Sequence, residues 1–187
     1  MTNFLNAQQS NNEKYPIDSF TDGRDGKTYK TVTIGNQTWM AENLKYKMPD
    51  SCWCVQCETY GRLYHYNVAL RACPSGWHLA DDEEWTTLTT YLGGDTVAGG
   101  KLKAEGTTQW QYPNTEATNE VGFSALPGGY CFTNGAFFYQ GSRCYWWSST
   151  ESSSQSAWYR SLNSVSKNIL RYHYKKDAGL SVRCLRN

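Results

Sequence analysis

The last third of the chain contains four short segments with the composition of β-strands, at residues 144–149, 157–162, 169–175 and 180–185. Ser-, Asn- and Gly-containing stretches separate them, as turns do between strands. In the last segment Leu180, Val182 and Cys184 alternate with other residues, so they share one side of the predicted strand. The pattern predicts a run of antiparallel strands that ends the domain.

The N-terminal half adds a hairpin and two helices. The hairpin turns at Gly35-Asn36, and a short helix over residues 66–73 stops at Pro74. Asp81, with Glu84 three residues on, predicts the start of a second helix. Trp85, Leu88 and Leu92 lie on one face of this helix, which we expect to be buried, and Gly93-Gly94 ends it.

The remaining segments read as irregular structure. Residues 47–60 are predicted to be a loop, and residue 95 onward to be loops and short strands, with a hairpin around Thr133-Asn134-Gly135. We therefore predict the α+β class, with two short helices packed on twisted antiparallel sheets and long loops.

The length of 187 residues suits one domain with a short appendage. Residues 1–20 are polar and read as a flexible or partner-ordered arm, which could dock on another subunit or support a homo-oligomer. Residues 21–187 form the domain. The arm lacks the basic and apolar segments of a signal peptide. Three routes to an oxidising environment then remain: a leader that was removed, another export route, or oxidation after release from the cell, as for a virion component.

Composition excludes several partner classes. The chain carries 18 basic and 17 acidic residues, for a net charge of +1, which gives no electrostatic basis for binding nucleic acid. No apolar run reaches the length of a membrane span, so membrane insertion is not expected. Aromatic residues make up 15% and hydrophobic residues only 39%, so rings must fill much of the core. Trp39, Trp77, Trp85 and Trp146 are predicted core residues.

Seven cysteines indicate an oxidising destination. Cys131 and Cys144 flank the hairpin at Asn134-Gly135 and are predicted to pair across it. Three more, at residues 52, 54 and 57, have the spacing of thiolate ligands, but a closed zinc site needs a fourth ligand. No metal site is therefore predicted.

Five segments resemble one bacterial family in order. They are DGKTYKTVTIGNQTWMAENL, YGRLYHYNVALRACPSGWHLADDEEWTTL, GFSALPGGY, YWWSSTESSSQSAWYRSL and GLSVRCLRN. Together they resemble the Fibrobacter succinogenes major paralogous domain over residues 21–187, a family similar to the C-type lectin-like fold. The resemblance implies a Cys73–Cys184 disulfide and a pairing of Cys57 with Cys52 or Cys54, which leaves one thiol over.

Large rings beside small polar residues in the C-terminal strands are typical of a recognition surface. We predict that Tyr172 and Tyr174 share one strand face, with Arg171 and His173 on the other. The alternative is that the tyrosines only pack, with their hydroxyl groups in water. The predicted ligand-binding residues are Tyr139, Arg143, Tyr145, Trp158, Tyr159, Asn163, Asn168, Tyr172 and Tyr174.

No arrangement of nucleophile and base stands out, so no catalytic residue or cofactor is predicted, and His78 is interpreted as structural. The Glu-Pro-Asn, Gln-Pro-Asp and Trp-Asn-Asp motifs of calcium-dependent lectins are absent. The oxygens of Asn114, Glu116, Asn119 and Glu120 are expected to cap turns rather than bind calcium.

These observations predict a surface-exposed binding module of the adhesin or receptor-recognition type. Its ligand would be a glycan or a surface protein, and its location extracellular, on a cell surface or on a virion, as in a phage fibre or decoration protein. The alternatives are a structural assembly subunit and, behind it, a thiol-dependent enzyme, which would need a reactive low-pKa cysteine.

Overall fold

The computed structural model describes residues 14–49 and 52–187. Its helices are α1 (Cys57–Tyr60), α2 (Tyr66–Ala69), α3 (Asp82–Tyr91) and α4 (Asp95–Leu102). Its strands are β1 (Ile17–Thr21), β2 (Thr28–Ile34), β3 (Gln37–Met40), β4 (Cys52–Trp53), β5 (Leu63–Tyr64), β6 (Trp77–Leu79), β7 (Tyr130–Cys131), β8 (Phe137–Phe138), β9 (Arg143–Glu151), β10 (Ser156–Asn163), β11 (Leu170–Lys175), β12 (Leu180–Ser181) and β13 (Cys184–Arg186). The predicted α+β class is confirmed, with four short helices rather than two in this part of the chain.

Two sheets carry most of the strands. The first has five strands in the order β1-β2-β3-β13-β6, and the second has six in the order β11-β10-β9-β12-β5-β4. β7 and β8 form a separate hairpin. Neighbouring strands are antiparallel except β12 and β9, which run parallel with Ser181 beside Trp146. The predicted hairpins at Gly35-Asn36 and Asn134-Gly135 are confirmed as β2–β3 and β7–β8.

The predicted last strand, 180–185, is wrong as a single element. Leu180 and Ser181 pair with β5 in the six-stranded sheet, whereas Cys184–Arg186 pair with β3 and β6 in the five-stranded sheet. Val182 and Arg183 carry the chain between the sheets, and both are buried. The alternation of apolar residues persists through the crossing because both sides of it lie in the core, so periodicity alone does not reveal the break.

The second predicted helix is confirmed as α3. The Asp81 carboxylate accepts a hydrogen bond from the Glu84 N–H at 2.8 Å, and the Glu84 carboxylate accepts one from the Asp81 N–H at 2.8 Å. This reciprocal pair satisfies two of the free donors at the helix N-terminus. Trp85, Leu88 and Leu92 are buried, as predicted.

Three predicted irregular or flexible segments need correction. Residues 47–60 are not wholly a loop, since β4 and α1 lie within them. The segment predicted as loops and short strands from residue 95 onward begins with helix α4. The predicted arm over residues 1–20 falls mostly outside the described residues, but residues 17–20 belong to β1, which pairs with β2 from Ile17 to Thr21. The ordered domain therefore begins earlier than residue 21.

Aromatic rings fill the space between the first sheet, the inner face of β9–β10 and helix α3. The ring centroids of Trp39 and Trp85 lie 4.7 Å apart, and those of Trp85 and Trp146 lie 5.7 Å apart. Phe123 contacts all three rings edge-on. Trp77 is buried in a second cluster, around α2, so all four predicted core tryptophans are confirmed.

Helix α4 escapes sequence reading because it contains Gly99 and Gly100, which are poor helix formers. The structure shows why residue 99 is a glycine: the backbone of another segment lies against it. A Cβ atom there would lie 2.6 Å from the Lys167 carbonyl oxygen and 2.7 Å from that of Asn168. The glycine lets the loop after β10 lie directly on the helix.

We expect Gly99→Ala to lower the free energy of unfolding by about 1–3 kcal/mol, because overpacking outweighs the better helix propensity of Ala. Urea unfolding measures the difference. Gly23→Ala is the matched control, since no atom lies within 4 Å of its added Cβ. Equal stability of the Gly99→Ala variant and the parent chain would show that the loop yields freely.

Candidate ligand-binding face

The outer face of β9, β10 and β11 brings the predicted tyrosines together. Tyr145 lies opposite Ser161, and Tyr159 lies opposite Tyr172, so strand alternation places their side chains on one face. Tyr174 follows Tyr172 by two residues on the same face. The predicted division of β11, with its tyrosines on one side and Arg171 and His173 on the other, is confirmed.

Five tyrosines line a small open pocket on this face, which we call the tyrosine pocket. Its volume is about 140 Å³, and its walls are Tyr130, Tyr139, Tyr145, Tyr159, Tyr174 and Leu180. The Tyr130 ring centroid lies 5.3 Å from that of Tyr145 and 5.9 Å from that of Tyr174, both edge-on. The pocket therefore has room for one ring or side chain of a ligand rather than for a large cofactor.

Exposed rings surround the pocket on the β7–β8 hairpin and on β11. Phe138 and Tyr172, which we call the aromatic rim, are 44% and 54% exposed. Phe138 stacks on Tyr130 with centroids 5.5 Å apart, and Tyr172 lies 6.3 Å from Tyr159. Pocket and rim thus form one continuous aromatic surface.

Three tyrosines of the pocket have raised pKa values. Burial raises the pKa of Tyr130 to about 12, and it raises that of Tyr145 to about 12 although Arg143 opposes the shift. Burial also raises the pKa of Tyr159. The Arg143 guanidinium lies 4.5 Å from the Tyr139 ring centroid, which places a positive charge beside these rings. The site therefore combines phenol hydroxyl groups with a cation.

Trp158 lies away from the pocket, on the opposite face of β10. The Arg171 guanidinium covers its ring at 3.4 Å, and the His173 ring meets it edge-on. Asp82 holds Arg171 in place through an ion pair of 2.8 Å. One face of the Trp158 ring is therefore covered by the protein.

Asn163 ends β10 and Asn168 lies in the turn that follows, so neither lies in the pocket. The Asn163 side-chain oxygen accepts a hydrogen bond from the Val165 N–H at 3.0 Å, and the Asn168 N–H donates to Ser166 Oγ at 3.0 Å. These contacts suit turn formation. Sequence reasoning missed Tyr130 and Phe138 instead, although both lie beside the predicted hairpin, because hairpin position alone does not show which face a ring occupies.

Two disulfides cross-link the described part of the domain. Cys73 after α2 bonds Cys184 in β13, and Cys54 bonds Cys57. The first confirms the pairing implied by the family resemblance, and the second identifies Cys54 as the partner of Cys57.

The predicted Cys131–Cys144 pairing is wrong, since both are free thiols. Strand β7 pairs with β8, and Cys131 also exchanges backbone hydrogen bonds with Gly179 at 2.8 and 2.9 Å. Cys144 instead pairs with Leu162 and lies in the core around Trp146. The strand after the hairpin is thus not the partner of β7.

We expect Cys131 and Cys144 to resist alkylation in the folded protein. Burial raises the pKa of the Cys131 thiol to about 11 and that of Cys144 further still, so neither forms much thiolate at pH 8. Mass mapping after iodoacetamide treatment, with and without denaturant, measures this. Fast modification of either thiol in the native state would contradict the prediction and revive the thiol-enzyme alternative.

The loop between α4 and β7 is organised by hydrogen bonds within the protein. The Asn114 amide donates to the carbonyls of Ala104 and Gly106 at 2.9 and 2.7 Å, and Asn119 Oδ1 accepts from the Ser124 N–H at 2.8 Å. The Asn119 oxygen caps a turn, as predicted, whereas Asn114 acts through its amide NH₂ group and its side-chain oxygen is buried without a partner among the described residues. Within residues 14–49 and 52–187, no three His, Cys, Asp or Glu side chains group as metal ligands do.

Lys103 supplies the cation at the base of this loop. Its side chain is fully buried, and its ammonium group donates to the carbonyls of Thr115 at 2.8 Å, Ser166 at 2.9 Å and Asn163 at 3.2 Å. Burial lowers the pKa of Lys103 to about 8. The ammonium ties the long loop to the turn after β10. Sequence reasoning gave no signal for this buried lysine.

The interpretation of His78 as structural is confirmed. Its Nε2 lies 2.9 Å from a Glu84 carboxylate oxygen, and its Nδ1 lies 2.7 Å from the side-chain oxygen of Asn187. Both ring nitrogens therefore have partners that fix the end of β13 to the start of α3.

The model of the Fibrobacter succinogenes major domain matches residues 32–186. No curated protein and no solved structure gives a significant match. Among the described residues, none of the helices has the length and apolar character needed to cross a bilayer. Because the family model covers most of the chain, from the second strand to the last, the protein belongs to the Fibrobacter succinogenes major domain family.

Proposed function

We propose that the domain is a recognition module that binds a glycan or a surface protein through the tyrosine pocket and its aromatic rim. The observation that carries the proposal is the grouping of five tyrosines around one open pocket. Tyrosine gives large contact area with little loss of side-chain entropy, and its hydroxyl can donate and accept hydrogen bonds. Exposed rings beside the pocket extend the surface available to a ligand.

The proposal includes a C-type lectin-like fold and a location outside the cell or on a virion. The fold is supported by the order of elements: α2, Cys73, the acidic-capped helix α3 and a final strand that carries Cys184. The location is supported by two disulfides, which persist in oxidising compartments. Adhesion to a surface is the role that unites these features, and it requires no catalytic residue.

Binding to a panel of bacterial surface glycans and intact envelopes, with and without EDTA, tests the proposal. The informative variant is Tyr139→Ala/Tyr172→Ala, because both side chains are about half exposed and their removal leaves the core intact. We expect binding that survives EDTA and weakens about ten-fold or more in the variant, as for loss of central aromatic contacts.

Tyr91→Ala is the matched control, since Tyr91 is 50% exposed at the end of α3 and lines no part of the pocket. Equal binding by the Tyr139→Ala/Tyr172→Ala variant and the parent chain would remove this face from the proposal. Loss of binding in EDTA would show that a metal takes part in recognition.

The aromatic rim also favours a second candidate, a structural assembly subunit. Phe138 and Tyr172 would be covered in an assembly, which removes apolar surface from water. Light scattering across protein concentration distinguishes the two. Concentration-dependent growth that Phe138→Ser abolishes would favour assembly, whereas a constant mass with retained ligand binding would favour recognition.

A further inference from the structure

A second and larger concavity lies at the other end of β11. It is bounded by the start of α2, the turn before β10 and the residues that follow β11, and its volume is about 580 Å³. We call it the polar cleft, and its walls include His65, Asn67, Val68, Gln155, Lys175 and Asp177. This volume lies within the range of about 300–1,000 Å³ found for ligand sites in proteins.

Backbone hydrogen bonds hold the three walls of the cleft together. The Tyr66 N–H donates to the Lys176 carbonyl at 3.0 Å, which joins α2 to the end of β11. The Lys176 N–H donates to the Gln155 carbonyl at 3.1 Å, which joins the end of β11 to the turn before β10. The cleft is therefore formed before any ligand arrives, and binding need not order its walls.

The charges in the cleft nearly cancel. The Lys176 ammonium, which also lines it, is paired with Glu151 at 2.7 Å and donates to the Ser154 carbonyl at 3.0 Å. Lys175 and Asp177 remain, with one positive and one negative charge. A strongly anionic ligand such as a phosphate would meet the two carboxylates as well as the ammonium groups, so the cleft does not select for one.

Several polar side chains in the cleft have no partner within the described part of the protein. No hydrogen bond or ion pair is formed by the side chains of Asn67, Gln155, Lys175 or Asp177 among residues 14–49 and 52–187. His65 Nδ1 is buried without a hydrogen-bond partner. The exposed amide, ammonium and carboxylate groups of the cleft, which have no partner among the described residues, can exchange hydrogen bonds to water for hydrogen bonds to a ligand.

We propose that the polar cleft is a second binding site, separate from the tyrosine pocket, and that it takes a short neutral oligosaccharide. A sugar hydroxyl both donates and accepts hydrogen bonds, which matches a wall that alternates amide, ammonium and carboxylate groups. The partly exposed His65 ring supplies apolar contact for the C–H face of a sugar. The inference stands without the tyrosine pocket, because no residue lines both sites.

NMR titration of the ¹⁵N-labelled full chain tests the proposal with defined probes: cellotriose, mannotriose, chitotriose and the acidic trigalacturonate. We expect at least one neutral triose to shift the side-chain amide signals of Asn67 and Gln155. The Asn67→Ala/Gln155→Ala variant should weaken that binding about ten-fold or more. Both residues are exposed, so the variant should remain folded.

The Tyr91→Ala variant serves as the control and should bind the triose as the parent chain does. In the Tyr139→Ala/Tyr172→Ala variant the amide shifts of Asn67 and Gln155 should persist, because no residue lines both sites. The proposal is overturned if no neutral triose shifts the two amides, or if the shifts occur only at the tyrosine pocket. It is also overturned if trigalacturonate alone binds and Lys175→Ala abolishes that binding. Because each site has its own variant, loss of binding at one site does not prevent the measurement of binding at the other.

Discussion

Removal of the Cys73–Cys184 disulfide, as Cys73→Ala/Cys184→Ala, should lower the free energy of unfolding by about 5 kcal/mol. The bond joins residues 111 positions apart, from the end of the α2 segment to β13. In the chain-entropy model, a loop of this length strongly restricts the unfolded chain. Because domains of this size have a net stability of about 5–15 kcal/mol, the variant should be marginally stable or unfolded.

Guanidinium unfolding followed by tryptophan fluorescence measures the effect, since Trp39, Trp85 and Trp146 report on the core. The matched control is Cys54→Ala/Cys57→Ala, which opens a loop of sequence separation 3. The same model gives about 2 kcal/mol or less for such a short loop. A similar loss in both variants would show that strain or denatured-state structure, rather than loop length, sets their contribution.

Lys103→Met should lower the free energy of unfolding by about 3 kcal/mol or more. The ammonium group donates to three carbonyl oxygens, of Thr115, Asn163 and Ser166, and methionine leaves them without this donor. Each buried polar group that loses its partner costs about 1–3 kcal/mol, and removal of the charge's own desolvation penalty offsets part of the total. The loop between α4 and β7 should also exchange its amide hydrogens faster.

Lys101→Met is the control, because Lys101 lies two residues before Lys103, in the last turn of α4, and forms a half-exposed ion pair with Glu120 at 3.2 Å. Such pairs contribute about 0–1 kcal/mol. Urea unfolding and hydrogen exchange on the two variants separate the roles. Unchanged stability and exchange in Lys103→Met would mean that the three carbonyls find other donors and that the ammonium does not fasten the loop.

The pH dependence of the Lys103 contribution has a definite sign. Its pKa falls from 10.5 in the unfolded chain to about 8 in the fold, so the unfolded state holds more protons between these values. The contribution of Lys103 to stability should therefore rise as the pH increases from 8 toward 10.5. The difference in unfolding free energy between the parent chain and Lys103→Met, measured at several pH values, isolates it.

Local sequence patterns predicted the elements that are built from local contacts. The capping pair Asp81 and Glu84, the hairpin turns and the tyrosine face of β11 all follow from spacing along one segment. Family resemblance supplied the long-range Cys73–Cys184 bond, which no spacing could indicate. Ring positions in the core were also predictable, because a chain with few aliphatic residues must bury its tryptophans.

Features that depend on distant backbone were not predictable. Gly99 reads as a helix breaker until the loop carbonyls of residues 167 and 168 are seen against α4. Lys103 reads as a surface residue until three carbonyls from two loops surround it. Trp158 read as a binding residue because the sequence does not show that Arg171 covers its ring. In each case the deciding partner lies far along the chain.

The division of residues 180–186 between the two sheets bears on the order in which the protein can fold. β13 lies between β3 and β6, and β12 lies between β9 and β5, so each sheet lacks an inner strand until these residues are present. Because the ribosome synthesises the chain from its N-terminus, β12 and β13 emerge after every other strand. Both sheets should therefore close together and late, after synthesis of the domain, with the slow kinetics of a fold dominated by distant pairings.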